Sequence, residues 1–151
     1  VKYRVVMIGG PNLGRLGTRN PEVYGRTSWA ELETLCRRWA GELDLDLTWL
    51  QTDSEGDLVM MIHQAGDGAH GLILNAAAYT HTSVAVRDAV EAIDIPVVEL
   101  HLSNPDAREA FRRQNLLADV VVAGIRGFGV EGYRLALEGM AALLRPQSDG
   151  P

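Results

Sequence analysis

Residues 72–101, LILNAAAYTHTSVAVRDAVEAIDIPVVELH, decide the fold. Two short apolar runs, at 72–74 and at 97–100 behind Pro96, the second interrupted only by Glu99, flank a segment in which Val86, Ala89, Val90 and Ile93 recur at helical spacing. Runs this short and this apolar read as strands covered on both faces. Strand, helix and strand in that order form a parallel pair joined by a crossover helix.

The same alternation extends outward in both directions. Residues 5–8 read as the first strand and 45–51 as the second. Between them Ser28 and Glu31 have capping-box spacing ahead of the stripe Leu32, Leu35, Cys36, Trp39, Ala40 and Leu43. Thr52 and Glu55 repeat that spacing before Leu58, Met61, Ile62 and Ala65. Toward the other end, 108–113 reads as a short helix and 120–123 as the fifth strand. Tyr133, Ala136, Leu137, Met140, Ala141 and Leu144 form the last helical stripe. The pattern predicts an α/β fold: a flavodoxin-like three-layer sandwich on a five-stranded parallel sheet. One catalytic domain is expected over 1–145, with a flexible tail at 146–151.

At 151 residues, 46% hydrophobic and 23% charged, the chain has ordinary globular composition. A formal charge of −6 argues against nucleic acid or an anionic membrane as the main partner. Cys36 is the single cysteine, so no intramolecular disulfide and no thiolate metal set is expected. The apolar run after Lys2 and Arg4 ends at Gly9-Gly10-Pro11, too short for a signal peptide or a membrane span. A cytoplasmic location is the expectation.

Ligands of open parallel sheets bind beyond the carboxyl ends of the strands. Those ends here carry Gly9-Gly10-Pro11-Asn12, then residues 75–83, NAAAYTHTS, then His101-Leu102-Ser103-Asn104. Alternation along a strand places Glu99, His101 and Ser103 on one face, where a carboxylate beside an imidazole makes an acid–base pair. His81 and Asp88 share a face if a helix starts near His81. Arg108 and Arg112 share one if 108–113 is helical, and together could clamp a carboxylate; pairing of Glu109 with Arg113 is the plainer alternative. The loop to about residue 27 adds Arg15, Arg19, Tyr24 and Arg26. None of the four histidines has H-E-x-x-H spacing, and there is no G-x-S-x-G or phosphate-loop motif. No metal and no cofactor are expected.

GPNLGRLGTRNPEVYG at 10–25, QTDSEGDLVMMIHQA at 51–65, LNAAAYTHTSVAVRDA at 74–89, VELHLSNPDAREAFR at 98–112 and GVEGYRLAL at 129–137 together resemble the type II 3-dehydroquinate dehydratases of the shikimate and quinate pathways. The resemblance implies a lyase that eliminates water from 3-dehydroquinate through an enolate. Tyr24 would take the C2 proton, with Arg19 holding it as phenolate, since a free phenol ionises near pH ~10. His101 would be the general acid, Glu99 would orient it, and Asn12 would stabilise the enolate through water. Asn75, His81, Leu102 by its backbone, Ser103 and Arg112 would bind substrate, with Arg108 as a supporting candidate. Asp88 would reach a neighbouring subunit's site, and the assembly implied is a dodecamer built from trimers.

The sequence departs from the family pattern at Gly9, Asn20, Pro105-Asp106, Gln114-Asn115-Leu116 and Met60-Met61. Those at 20, 106 and 114 make a low-activity or substrate-shifted relative the alternative enzyme reading. A non-catalytic flavodoxin-like binding module is the alternative outside enzymes. A receiver module would need clustered acids at the tip of the first strand, and Gly9-Gly10-Pro11-Asn12 has none.

Overall fold

The structure, a computed structural model, describes residues 2–18 and 20–146. Arg19 and residues 147–151 of the expected tail lie outside the described residues. Along the chain run β1 (Tyr3–Gly9), a one-turn α1 (Pro21–Tyr24), α2 (Trp29–Glu42), β2 (Leu45–Gln51), α3 (Glu55–Gly68), β3 (Gly71–Asn75), α4 (Val84–Glu91), β4 (Val97–His101), β5 (Ala123–Arg126) and α5 (Glu131–Leu144). The strands form one sheet in the order β2-β1-β3-β4-β5, and every pairing is parallel. This is the expected flavodoxin-like architecture.

Side-chain alternation divides the core into two apolar layers. Val5, Met7, Ile73, Val98 and Leu100 face α2 and α5. Ile8, Leu72, Leu74 and Val97 face α3 and α4. β3 and β4 are buried at every position, as their apolar runs require. Cys36 is fully buried in α2; burial pushes its thiol up to about 12, so it packs as a small apolar residue.

Three local expectations are corrected. Ser54, not Thr52, caps α3, accepting from the Asp57 amide at 3.2 Å. Thr52 accepts from the Ser54 amide instead, bending the chain into that cap. The fifth strand lies at Ala123–Arg126 rather than 120–123. Val120 and Val121 pack as anchors against the α3–α4 layer, and the Val122 amide bonds the Val97 carbonyl at the entry to the edge strand. An edge strand is covered less than an interior one, so its own residues need not be apolar. Lastly, 108–113 is not one helix. Two 3-10 turns, Pro105–Ala107 and Ala110–Arg113, flank an extended Arg108.

Ser28 caps α2 as read, accepting from the Glu31 amide at 3.1 Å. The α5 stripe is also as read, with Tyr133, Ala136, Leu137, Met140 and Ala141 buried and Leu144 partly so. Tyr133 joins this layer to the strand tips: its hydroxyl accepts from Asn75 Nδ2 at 3.1 Å in the interior. Burial pushes the Tyr133 phenol far up, so it stays neutral there.

Tyr133→Phe keeps the ring but removes the acceptor for a buried amide. The expected cost is about 1–3 kcal/mol of stability. The urea midpoint of parent and variant checks this, and an unchanged midpoint would remove the bond from the account of stability.

Candidate active site

The sheet order reverses direction between β1 and β3, which opens a crevice at their carboxyl ends. Gly10 permits the closest approach there: a Cβ at this position would lie 2.7 Å from the Ala76 carbonyl oxygen. The Gly10 amide donates to the Asn75 carbonyl at 2.8 Å, tying the two tips. Just beyond, Asn12 adopts the left-handed conformation, with φ 72°. Its amide donates to Asp53 Oδ1 at 2.9 Å, and Gln51 Nε2 donates to the same oxygen at 3.0 Å. Asp53 thus fixes the turn that presents Asn12, a role that no motif in the sequence marked.

At the β3 tip Asn75 is buried, and its Oδ1 accepts from the Ala77 amide at 3.1 Å. That contact holds Ala77 at φ 52°, a strained position for alanine. The chain then turns through Ala77–His81 in a 3-10 helix. His81 is buried, with Nδ1 2.8 Å from the Gln114 carbonyl. A carbonyl only accepts, so Nδ1 carries the hydrogen and Nε2 of the neutral ring is an acceptor. α4 does not begin until Val84, behind the Ser83 cap, so His81 and Asp88 belong to separate elements. Asp88 is exposed and does not line the cleft.

Glu99 and His101 share the α4-facing side of β4, and both are buried. Glu99 Oε2 stands 3.5 Å from His101 Nε2, and neither atom has a hydrogen-bond partner among the described residues. The other carboxylate oxygen, Oε1, accepts from Asn115 Nδ2 at 2.8 Å. Burial pushes the Glu99 carboxyl up, but the His101 imidazole, the Asn115 amide and the charge of Arg126 together outweigh it and hold the group below its ordinary value. The rings of His101 and His81 stack at 6.3 Å between centroids.

Tyr24 ends α1, which begins at Pro21 behind an Asn20 in the left-handed region. Its hydroxyl receives a hydrogen bond from Arg108 Nη1 at 2.9 Å, and the Arg108 guanidinium also lies 5.3 Å from the centre of the Tyr24 ring. The same Nη1 donates to Ser103 Oγ at 3.3 Å. Arg108 therefore spans the cleft mouth, a more central place than the supporting one the sequence suggested. Arg112 arrives from the second 3-10 turn, held by Glu109 Oε2 at 2.5 Å. Glu109 pairs with Arg112, not with Arg113.

These groups surround one solvent-open cleft of about 580 Å³. Of the residues singled out from the sequence, Asn12, Tyr24, Asn75, His81, His101, Leu102, Ser103, Arg108 and Arg112 line it. Glu99 stands behind His101 and does not. Asp106 and Gln114, two of the departures noted above, act elsewhere: Asp106 pairs with Arg126 at 2.6 Å, and Gln114 contributes its backbone carbonyl. At the Gly9 departure, a Cβ would meet the Trp29 ring at 2.5 Å, so Trp29 occupies the space a side chain there would need.

Fold and cleft together define an α/β enzyme with a phenol, two imidazoles and two guanidiniums lining one cleft at the carboxyl edge of its sheet. The family described as dehydroquinase class II matches residues 3–141, and the chain belongs to it. A 3-dehydroquinate dehydratase of Jannaschia sp. (strain CCS1) is 48% identical over 148 residues, covering 98% of this chain and 99% of that protein. One from Salinispora arenicola (strain CNS-205) is 51% identical over 139 residues, covering 92% and 97%. The crystal structure of type II dehydroquinase from Propionibacterium acnes superposes with a TM-score of 0.91 at 39% identity, covering 94% of this chain and 98% of that one.

The lowered Glu99 carboxyl sets a pH dependence. The unfolded chain takes up this proton near ~4.3, more readily than the folded protein, so the stabilisation is present above that pH and is lost as pH falls through the folded value. Glu99→Gln should therefore flatten the acid decline in melting temperature below about pH 5. Thermal unfolding of both proteins across that range is the measurement; parallel declines would show that Glu99 ionisation is not linked to folding.

Proposed function

We propose that the chain is a 3-dehydroquinate dehydratase working by an enolate mechanism. One observation carries the reading: the Tyr24 hydroxyl, hydrogen-bonded by Arg108, stands at the mouth of a cleft that also holds His101 backed by the Glu99 carboxylate. The relatives' names support the substrate.

In this mechanism the Tyr24 oxygen, in its negative form, takes the C2 proton, and the C–H electron pair moves toward the ketone oxygen. The Arg108 guanidinium donates to that oxygen at 2.9 Å. The family resemblance also gives Arg19 the part of holding Tyr24 as phenolate, and that part belongs to the proposal. Asn12 stabilises the enolate through a bridging water. The enolate then expels the hydroxyl on the next carbon, and His101 supplies the proton that lets it leave as water. Nε2 of His101 faces Glu99, so Nδ1 is the nitrogen that exchanges this proton. Arg112 and Ser103 hold the substrate carboxylate, while Asn75, His81 and the Leu102 backbone bind its oxygens.

A homo-oligomer built from trimers, twelve subunits in all, belongs to the same proposal, with Asp88 offered from α4 to a neighbour's cleft. So does a cytoplasmic location. Among the described residues no helix is long and apolar enough to cross a membrane.

Purified protein given 3-dehydroquinate should generate the ultraviolet absorbance of the conjugated enone product. Tyr24→Phe and His101→Ala should each lower kcat by about 10²–10⁴-fold while leaving the fold intact. No absorbance change with the parent protein would reject the activity, and near-parent turnover of Tyr24→Phe would remove the tyrosine from it.

Asp88→Asn should lower both activity and trimer content on dilution, followed by light scattering. A fully active monomer would end the shared-site part of the proposal.

A further inference from the structure

Asn115 stands behind the cleft, in the segment between the second 3-10 turn and β5. Its amide is oriented at both ends. Oδ1 accepts from the Leu117 amide at 2.8 Å, and that backbone group can only donate. Nδ2 is thereby turned to Glu99 Oε1 at 2.8 Å. The surrounding segment is tied down on the α4 side. The Leu116 amide bonds the Thr80 carbonyl at 2.9 Å, Arg87 Nη1 bonds the Leu116 carbonyl at 2.8 Å, and Arg87 makes a bidentate pair with Asp119. The Gln114 carbonyl receives His81 Nδ1.

We infer that Asn115 is a positioning residue for the reaction: its amide fixes the Glu99 carboxylate in the orientation that presents Oε2 to His101. The inference rests on the proposed role of the Glu99–His101 pair in proton transfer. With Oε1 occupied by Asn115, Oε2 is the oxygen left for Nε2. The carboxylate then cannot rotate away, Nε2 keeps its hydrogen, and Nδ1 faces the reaction. An amide donor suits this place because it cannot give up its proton, so Glu99 remains an acceptor toward the imidazole. The titratable and charged groups that bear on Glu99 are His101 on β4 and Arg126 on β5, the latter engaged with Asp106. Neither replaces the Asn115 contact on Oε1.

Two substitutions separate positioning from packing. Asn115→Asp keeps an oxygen for the Leu117 amide but sets a second carboxyl against Glu99 Oε1, so that the two share a proton. Asn115→Leu removes both contacts at similar size. The Glu99 carboxyl is followed by 13C NMR titration, and kcat and KM for 3-dehydroquinate are measured against pH. The Glu99 titration should move to higher pH by about one unit in Asn115→Leu, a tenfold gain in proton affinity, because a bond to the ionised form is lost, and further in Asn115→Asp, because two carboxyls in contact cannot both ionise. The acid limb of kcat should move up with it, kcat should fall about tenfold at neutral pH, and KM should change less. An unmoved Glu99 titration in folded Asn115→Leu overturns the inference. So does a loss of kcat in both variants with the acid limb where it was, since that marks a purely structural role. Glu99→Gln in the parent distinguishes the underlying reading: parent-like activity in that variant means that the Glu99–His101 pair is not used, and positioning by Asn115 falls with it.

Discussion

Complete burial of β3 and β4 is the constraint on which the rest of this molecule depends. Strands covered on both faces by helices accept polar side chains only where each is paired, since an unpaired buried group costs several kcal/mol. The three polar residues inside these strands, Asn75, Glu99 and His101, all lie at or near the carboxyl ends; Asn75 and Glu99 are hydrogen-bonded, and His101 Nε2 stands 3.5 Å from Glu99 Oε2. The site stands where the sheet stops excluding polar groups. The parallel arrangement brings all the strands to that edge pointing the same way, so one crevice collects residues from segments distant in sequence.

That crevice has a rigid floor and a more open rim. The floor is set by contacts that leave little freedom: Gly10 against Ala76, Asn75 between Tyr133 and Ala77, and Glu99 between Asn115 and His101. The rim consists of the single turn of α1 and the two 3-10 turns after β4, and Arg108 links them by bonding Tyr24 and Ser103. Short elements of this kind hold little buried apolar surface, so they can move while the floor stays fixed. In the proposed reaction, this division puts the Glu99–His101 pair on the fixed floor and Tyr24 on the adjustable rim.

Much of this was legible in the sequence. The mostly apolar runs at 72–74 and 97–100, the second holding Glu99, indicated interior strands, because residues buried on both faces lack a polar-apolar alternation. The stripe from Tyr133 to Leu144 gave α5 in full, because a long amphipathic pattern admits no other period. Polar residues at three strand tips gave the edge on which the cleft lies. The misreadings share a cause: in the stretch read as a strand at 120–123, Val120 and Val121 are anchors and the strand begins only at Ala123, Thr52 is part of an approach to a cap rather than the cap, and 108–113 is broken by an extended Arg108. In each case the deciding contact comes from a residue far along the chain or from a local turn that the apolar pattern does not encode.

What the sequence determined by itself was the order and type of the main elements, the parallel sheet they imply, and which residue types stand at its tips, because periodicity and strand-end position are local properties. Only the tertiary structure decided which of those residues meet. Arg108 reaching Tyr24 joins positions 84 residues apart, and Asp53 beneath Asn12 and Asn115 beneath Glu99 are likewise contacts between separate segments. Partners of this kind depend on how loops cross the end of a sheet, and a one-dimensional pattern carries no information about that crossing.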